Sequence, residues 1–211
     1  MDTQKFCENN GTNYNTSENN IVCDYSETPN IIKGSPQRSL TQNNRKIKSR
    51  ISLKPISGTV TNVLTVYHTH LPTCISHYEL TVTTNDEQDV KFILSSDTYF
   101  VDCFFQMEGL NVIGFYDEMA PMPLIYPPQY RIKVIAIDYP ERFVKADYFD
   151  CYLVSSDNEL QLIVSNNTYI IEEDGKLYCG NISNKYMVVL YSSIAQSMPA
   201  ITTPNVIIVL H

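Results

Sequence analysis

The sequence predicts an all-β protein made of two similar units behind a polar N-terminal arm. Short runs rich in β-branched and aromatic residues fill the chain from residue 51 onward, and turn residues separate them, which is typical of strands. Several of these runs recur about 70 residues later, which indicates an internal duplication. No run has the periodicity of a long amphipathic helix.

Residues 1–50 form the predicted disordered arm. They are rich in Asn, Ser and Thr, so they cannot bury enough apolar surface to offset the entropy lost on ordering. The charge is divided in the same way, because residues 1–54 hold eight basic and five acidic side chains, while 55–211 hold seven and eighteen. A basic segment of net charge +3 therefore precedes an acidic body of net charge −11.

Unit 1 is expected over residues 51–140. Its predicted strands are 58–66, a hairpin over 78–94 with the turn 85-NDEQ-88, 110–116 and 130–137. The segment 95–108 reads as an irregular connector, in which a short strand is favoured over a turn of helix. Five strands in a segment of this size suit a small OB-like barrel, and a β-sandwich of the two units is the alternative.

Unit 2 is expected over residues 141–211, and it repeats unit 1. The stretch 89-DVKFILSSDTYF-100 matches 159-ELQLIVSNNTYI-170 at an offset of 70. At an offset of 76, 112-VIGFY-116 matches 188-VVLYS-192 and 123-PLIYPPQYRIKV-134 matches 199-PAITTPNVIIVL-210. Because unit 2 lacks a clear long first strand, a single core shared by both units is also compatible with the pattern.

The prolines before the last strand of each unit read as a structural device. Proline has no N–H, so it ends pairing and fixes φ where a strand begins. The bonds Tyr126–Pro127 and Met198–Pro199 are candidates for the cis form. The alternative is a recruiting PxxP segment, but a proline pattern in both units favours geometry over recruitment.

The strings TYFVD (98–102), GFYD (114–117) and PLIYPPQY (123–130) carry a resemblance. They resemble strings in a group of hypothetical proteins from clostridial, spore-forming bacteria, over about residues 56–137. The resemblance implies a lineage and brings no activity with it.

Unit 1 also holds the candidate ligand-binding residues. Aromatic side chains and an acid around the T-Y motif, the GFYD string and the proline-rich loop could form a contact surface: Tyr99, Tyr116, Asp117, Tyr126 and Tyr130. The acid could equally cap a turn.

The stretch 68-HTHLPTCISH-77 is the candidate metal site. Imidazole and thiolate ligands suit zinc or copper, and the candidates are His68, His70, Cys74 and His77. Their spacing matches no established structural zinc motif, so a plain loop between two strands is the competing interpretation.

No catalytic residue is predicted, and no cofactor. Paired carboxylates could come from four acids, but turn capping explains them as well: Asp97, Asp102, Asp117 and Glu118. No serine or cysteine lies in a nucleophile-elbow motif.

The sequence therefore predicts a non-enzymatic structural or binding protein whose partner is a second copy or another protein. An OB-type module for a ligand or single-stranded nucleic acid is the alternative, although a body of net charge −11 repels a polyanion. No signal peptide or membrane span is recognisable, so synthesis in the cytoplasm is expected, with the mother-cell cytoplasm or the spore surface as destinations. The six cysteines are expected to be free thiols.

Overall fold

The computed structural model describes residues 51–104 and 106–211 of the chain. These residues form twelve β-strands and no helix, so the all-β prediction is confirmed for this part of the chain. The predicted arm, residues 1–50, lies outside the described residues. Among the described residues, no helix is long and apolar enough to cross a membrane.

Unit 1 contains six strands that pair in one sheet. They are β1 (Leu53–His68), β2 (Leu71–Thr84), β3 (Asp89–Leu94), β4 (Tyr99–Phe100), β5 (Asn111–Asp117) and β6 (Gln129–Ile137). All five predicted strands are present, as β1, β2, β3, β5 and β6, but β1 and β2 are much longer than expected. The predicted connector holds only the two-residue β4, and the rest of it is irregular.

Five of these strands close on themselves. Strand β1 pairs antiparallel with both β2 and β5, β2 pairs with β3, and β5 pairs with β6. A parallel pairing of β3 with β6 then joins the two ends, giving the ring β1-β2-β3-β6-β5-β1.

The inside of this ring is the core of unit 1. Its fully buried side chains alternate along the strands, as in Leu80 and Val82 on β2 and Phe92 on β3. Gly114 on β5 leaves room for this packing, because a Cβ atom there would lie 2.8 Å from Phe92 and 2.9 Å from Ile132. The connector covers the core with apolar side chains that include Phe104 and Met107.

Unit 2 contains the other six strands, and no described strand pairing crosses between the units. They are β7 (Phe143–Phe149), β8 (Leu160–Leu162), β9 (Tyr169–Glu172), β10 (Lys185–Tyr191), β11 (Ala200–Thr202) and β12 (Val206–Val209). Strand β10 pairs with β7 and β12, β9 pairs with β12, and β11 pairs with β8. Isolated bridges at 149–155 and 154–161 stand where β2 pairs in unit 1.

The pairings of the two units correspond, but in a different register from the one predicted. The pair Tyr99–Val134 of β4 and β6 matches Tyr169–Val206 of β9 and β12, an offset of 70 in one strand and 72 in the other. The β5–β6 and β10–β12 registers then require an offset of 75 between β5 and β10. The predicted offset of 76 is therefore wrong by one residue for β5 and by four for β6.

This register changes which prolines correspond. At the offset of 72, Pro127 matches Pro199, and both follow a cis peptide bond. The predicted matches of Pro123 with Pro199 and of Pro128 with Pro204 are wrong. Strand β6 of unit 1 corresponds to β11 and β12 together. The pair Lys91–Gln129 of β3 and β6 matches the pair Gln161–Ile201 of β8 and β11 at the same offsets of 70 and 72.

A threonine holds the same turn in each unit. The Thr98 hydroxyl donates to the Ile132 carbonyl oxygen at 2.7 Å and accepts from the Ser95 N–H at 3.0 Å. Its counterpart Thr168 donates to the Pro204 carbonyl oxygen at 2.8 Å and accepts from Ser165 at 3.2 Å. The repeated S-x-[DN]-T-Y motif is therefore a device that ties the turn to the closing strand.

The two units pack on each other through corresponding faces. Each unit has its own core cluster, and a third cluster contains buried side chains from both, among them Phe115 and Val188. At the offsets above, three contributors from unit 1 have counterparts in the same cluster: Ile113 with Val188, Phe115 with Leu190 and Val134 with Val206. The hydroxyl of Tyr186 also bonds the backbone of Ile51.

An ion pair fixes the linker between the units. The Arg142 guanidinium donates to both carboxylate oxygens of Asp102, each at 2.7 Å, and to the Ile137 carbonyl oxygen at 2.7 Å. Asp102 also accepts from the Ile137 N–H at 2.8 Å, and Arg142 lies 4.6 Å above the ring of Tyr139. We call this cluster of Asp102, Ile137 and Arg142 the clasp. It joins the connector, β6 and the linker.

Candidate functional site

Two of the predicted binding tyrosines contact each other. The rings of Tyr116 on β5 and Tyr130 on β6 lie 4.6 Å apart at an angle of 55°, and both pack against the unit 1 core. Burial, the neighbouring Tyr130 and Glu118 raise the pKa of the Tyr116 hydroxyl. The pair therefore contributes to packing as well as to any contact surface.

Tyr126 lies apart from this role, in the loop between β5 and β6. Its side chain is 89% exposed, and Leu124 beside it is fully exposed. Met198, which matches Tyr126 in unit 2, is fully exposed as well. The residue before each cis proline thus presents a large side chain to solvent.

The other two predicted ligand residues have structural roles. Tyr99 packs in the cluster between the units, and burial, followed by the charge of Glu173, raises its pKa. Asp117 accepts from the N–H groups of Ser52 at 3.3 Å and Met119 at 3.1 Å, so it caps the turn after β5. The five predicted residues do not form one convergent site.

The candidate metal ligands lie on the hairpin between β1 and β2. His68 ends β1 and pairs with Leu71, while His77 on β2 pairs with Val66. His77 contacts Glu79 at 3.4 Å, and Lys91 donates to the other oxygen of Glu79 at 2.9 Å. No group of three or more His, Cys, Asp or Glu side chains that could hold a metal ion occurs in 51–104 or 106–211. This geometry does not favour a metal site there.

The carboxylates considered for catalysis are engaged in ion pairs or turns. Asp97 contacts Lys133 and Ser95, and the Lys133 hydrogen bond lowers the pKa of its carboxyl. Asp102 is held by Arg142, and Glu118 accepts from the Ser52 hydroxyl. These contacts give the three acids structural roles in the fold.

Unit 2 contains a charged cluster that the sequence interpretation did not single out. Lys145 contacts Asp157 and lies 3.3 Å from Glu159, and the neighbouring Asp147 is buried. Burial raises the pKa of Asp147, even though its carboxylate accepts from the Ser156 hydroxyl at 2.7 Å. Burial opposes ionisation of Asp157, but Lys145 and Ser155 hold its pKa at about 2.

The feature most open to a partner is the ribbon, which we define as residues 61–77 of β1 and β2. Strand β1 pairs with β5 only up to Thr59, and β2 pairs with β3 only from Tyr78 onward. Val60 still bonds the backbone of Gly109 and Leu110. Within the ribbon itself the two strands pair only with each other among the described residues. Four large apolar side chains on the ribbon are about half exposed: Leu64, Tyr67, Leu71 and Ile75.

A sequence signal for the ribbon does exist. Residues 55–78 contain no Asp, Glu, Lys or Arg, although 18% of the chain is charged. Because pairing beyond the ring of strands depends on tertiary structure, the pattern of strand residues did not reveal the ribbon.

No protein-family model, curated protein or solved structure matches the chain.

Proposed function

We propose that the protein is a non-enzymatic structural or binding protein that self-associates, with the basic N-terminal segment of one copy docking on the acidic body of another. The division of charge carries this proposal. Residues 33–54 hold seven Lys or Arg and no acid, whereas residues 55–211 have a net charge of −11. Opposite charges on two parts of the same chain favour contacts between copies.

The body offers exposed acids to such a segment. The turn after β9 exposes Glu173 and Asp174, of which only Asp174 pairs with Lys176. Asp157, with its pKa of about 2, is ionised at neutral pH, although Lys145 already contacts it. An exposed ion pair contributes about 0.2–1 kcal/mol, so several pairs are needed and their sum is sensitive to salt.

The experiment is a salt titration of the molar mass by size exclusion with light scattering. We expect an oligomer at about 50 mM salt that dissociates near 1 M, where the Debye length falls to about 3 Å. A variant of the full chain with Arg45, Lys46, Lys48 and Arg50 changed to Gln should lose this association. A chain without residues 1–50 should behave in the same way. An unchanged monomer in every condition would refute the proposal.

For the architecture we propose that each unit is an OB-like barrel. The ring β1-β2-β3-β6-β5 supports this, since β1 pairs with two partners and a parallel pair closes the ring. A β-solenoid is the alternative for a duplicated β-rich chain, but it stacks parallel strands. Six of the ten strand pairings here are antiparallel, which favours the barrel.

The same strand order favours a second candidate function, an OB-type ligand module. OB folds bind oligomers with the loops between their first and second and their fourth and fifth strands. In unit 1 these are the ribbon and the loop with Tyr126, and both expose apolar side chains. Retention on a phosphate-rich resin that falls with salt would support a nucleic-acid ligand, and its absence would count against one.

The clostridial resemblance and the 15 tyrosines make a spore-associated role part of the first proposal. Immunolocalisation in a sporulating culture tests it. We expect signal in the mother cell or on the spore, and signal only in vegetative cells would contradict it.

A further inference from the structure

The outer edge of β1 is a regular strand without a described partner. Residues 62–68 pair with β2 on one side, and Thr61 is the one extra residue on β1 that interrupts this pairing. The other register shifts place their extra residues on β2, at Ser76 and around Pro72. The β1 edge, NVLTVYH, therefore has no bulge and no proline, whereas the β2 edge has both.

This edge also lacks the usual protection against pairing. Natural edge strands are kept apart by charged side chains, especially Lys, by proline or by bulges. Residues 62–68 have none of these, and they are rich in β-branched and aromatic residues, a composition that favours strand-to-strand pairing.

The absence of charge on this edge allows a second copy as the partner. Two copies with bodies of net charge −11 repel each other over most of their surfaces. The repulsion is least where neither copy has a charged side chain, and residues 55–78 form such a stretch. Because the ribbon extends beyond the pairings of the ring, a contact along its edge involves no strand of the ring other than β1 and β2.

The exposed apolar surface of the ribbon also favours a strand added beside β1. A two-stranded ribbon is at best marginally stable by itself, and additional strands or packing stabilise it. Leu64 is 51% exposed and Tyr67 is 53% exposed, so a strand added beside β1 would cover apolar surface on the ribbon.

We propose that residues 62–68 of β1 pair antiparallel with residues 62–68 of a second copy across a two-fold axis. This inference rests on the proposed self-association and adds an uncharged contact between copies to the docking of the basic segment on the acidic body. The contact is isologous, so each residue of the edge is used twice, and the two ribbons become one four-stranded sheet.

Sedimentation equilibrium of full-length variants tests the contact. The variant Leu64→Lys places one positive charge of each copy on the shared edge, and the matched control Thr73→Lys adds the same charge on β2. We expect Leu64→Lys to weaken the dimer about a hundredfold, because each substitution occurs twice, and Thr73→Lys to change it less than about threefold.

Hydrogen exchange on the unmodified protein gives a readout that does not depend on a variant. Amides of residues 62–68 should gain protection as the protein concentration rises, and amides of 71–77 should gain much less. Melting temperatures of both variants within a few degrees of the parent would show that the monomer fold is kept.

The outcomes separate the two proposals. If the protein self-associates, but Leu64→Lys has no more effect than Thr73→Lys and the exchange of 62–68 is independent of concentration, the edge contact is wrong and self-association stands. If the protein is monomeric at every concentration and salt, both are wrong.

Discussion

The clasp between Arg142 and Asp102 gives a sharp prediction about how the two units are held. Arg142→Ala removes two hydrogen bonds to Asp102 and one to the Ile137 carbonyl oxygen. Asp102 then keeps only the Ile137 N–H as a partner, although its side chain is just 15% exposed. A carboxylate with so little solvent access is destabilised when its cation is removed.

The magnitude follows from this geometry. Breaking a fully buried ion pair costs about 3–5 kcal/mol, and an exposed one costs less than about 1 kcal/mol. Arg142 is 23% exposed, so we expect Arg142→Ala to lower the free energy of unfolding by about 2–3 kcal/mol. Arg142→Lys keeps the charge but not the two-pronged contact, and it should cost about 1–2 kcal/mol.

Urea unfolding of a double-mutant cycle with Asp102→Asn measures the clasp. We expect a coupling energy of at least about 1 kcal/mol between the two sites, with no change in m-value. Both single variants within about 0.5 kcal/mol of the parent, with additive effects, would show that the clasp does not stabilise the fold.

Three further predictions concern single side chains. Thr98→Val removes a buried hydroxyl that makes two hydrogen bonds, so it should cost about 2 kcal/mol, and Thr168→Val, at the less buried counterpart, should cost about 1 kcal/mol. Gly114→Ala forces a Cβ atom against Phe92 and should cost about 1–3 kcal/mol. Asp147→Asn removes a buried carboxyl group whose pKa is raised, so the free energy of unfolding at pH 7 should rise. The loss of stability between acidic and neutral pH should be smaller in this variant than in the parent.

The sign for Asp147 follows from proton linkage. The pKa of Asp147 is higher in the folded state than in the unfolded state, so the folded state holds the proton more tightly. The free energy of unfolding therefore decreases as pH rises from the unfolded pKa to the folded pKa. Chemical denaturation at pH 4 and pH 7 checks this. An Asn variant less stable at pH 7 than the parent would contradict the burial argument. Equal costs at Thr98 and Thr168, or a neutral Gly114→Ala, would contradict the other two.

The sequence pattern was sufficient for the all-β class and for the repeat. Turn residues between β-branched runs located β3, β5 and β6 to within a few residues, because these strands alternate between a core and an outer face. Strands β1 and β2 were predicted too short, since the exposed ribbon beyond the ring carries no such alternation of buried residues.

The register of the repeat was harder to predict for a physical reason. Strands β5 and β10 bury both faces, one in their own unit and one between the units. A shift of one residue therefore still matches apolar with apolar, although it exchanges the two faces. Matching Ile113 with Val188 keeps both in the cluster between the units, whereas the predicted match of Val112 with Val188 does not.

The candidate site was predicted only in part. Composition drew attention to the tyrosines, but which of them pack depends on contacts between strands, as for Tyr116 with Tyr130. The ribbon was not predicted, because the sequence does not show which strand edges lack a neighbouring strand. The uncharged stretch 55–78 was its one trace in the sequence.

Self-association is the central claim, and the molar mass of the unmodified chain in solution tests it most directly. Sedimentation from about 1 to 100 μM at low and high salt should give a mass above the 24.1 kDa of one chain, rising with concentration and falling with salt. A mass of 24.1 kDa at every concentration and salt would contradict it.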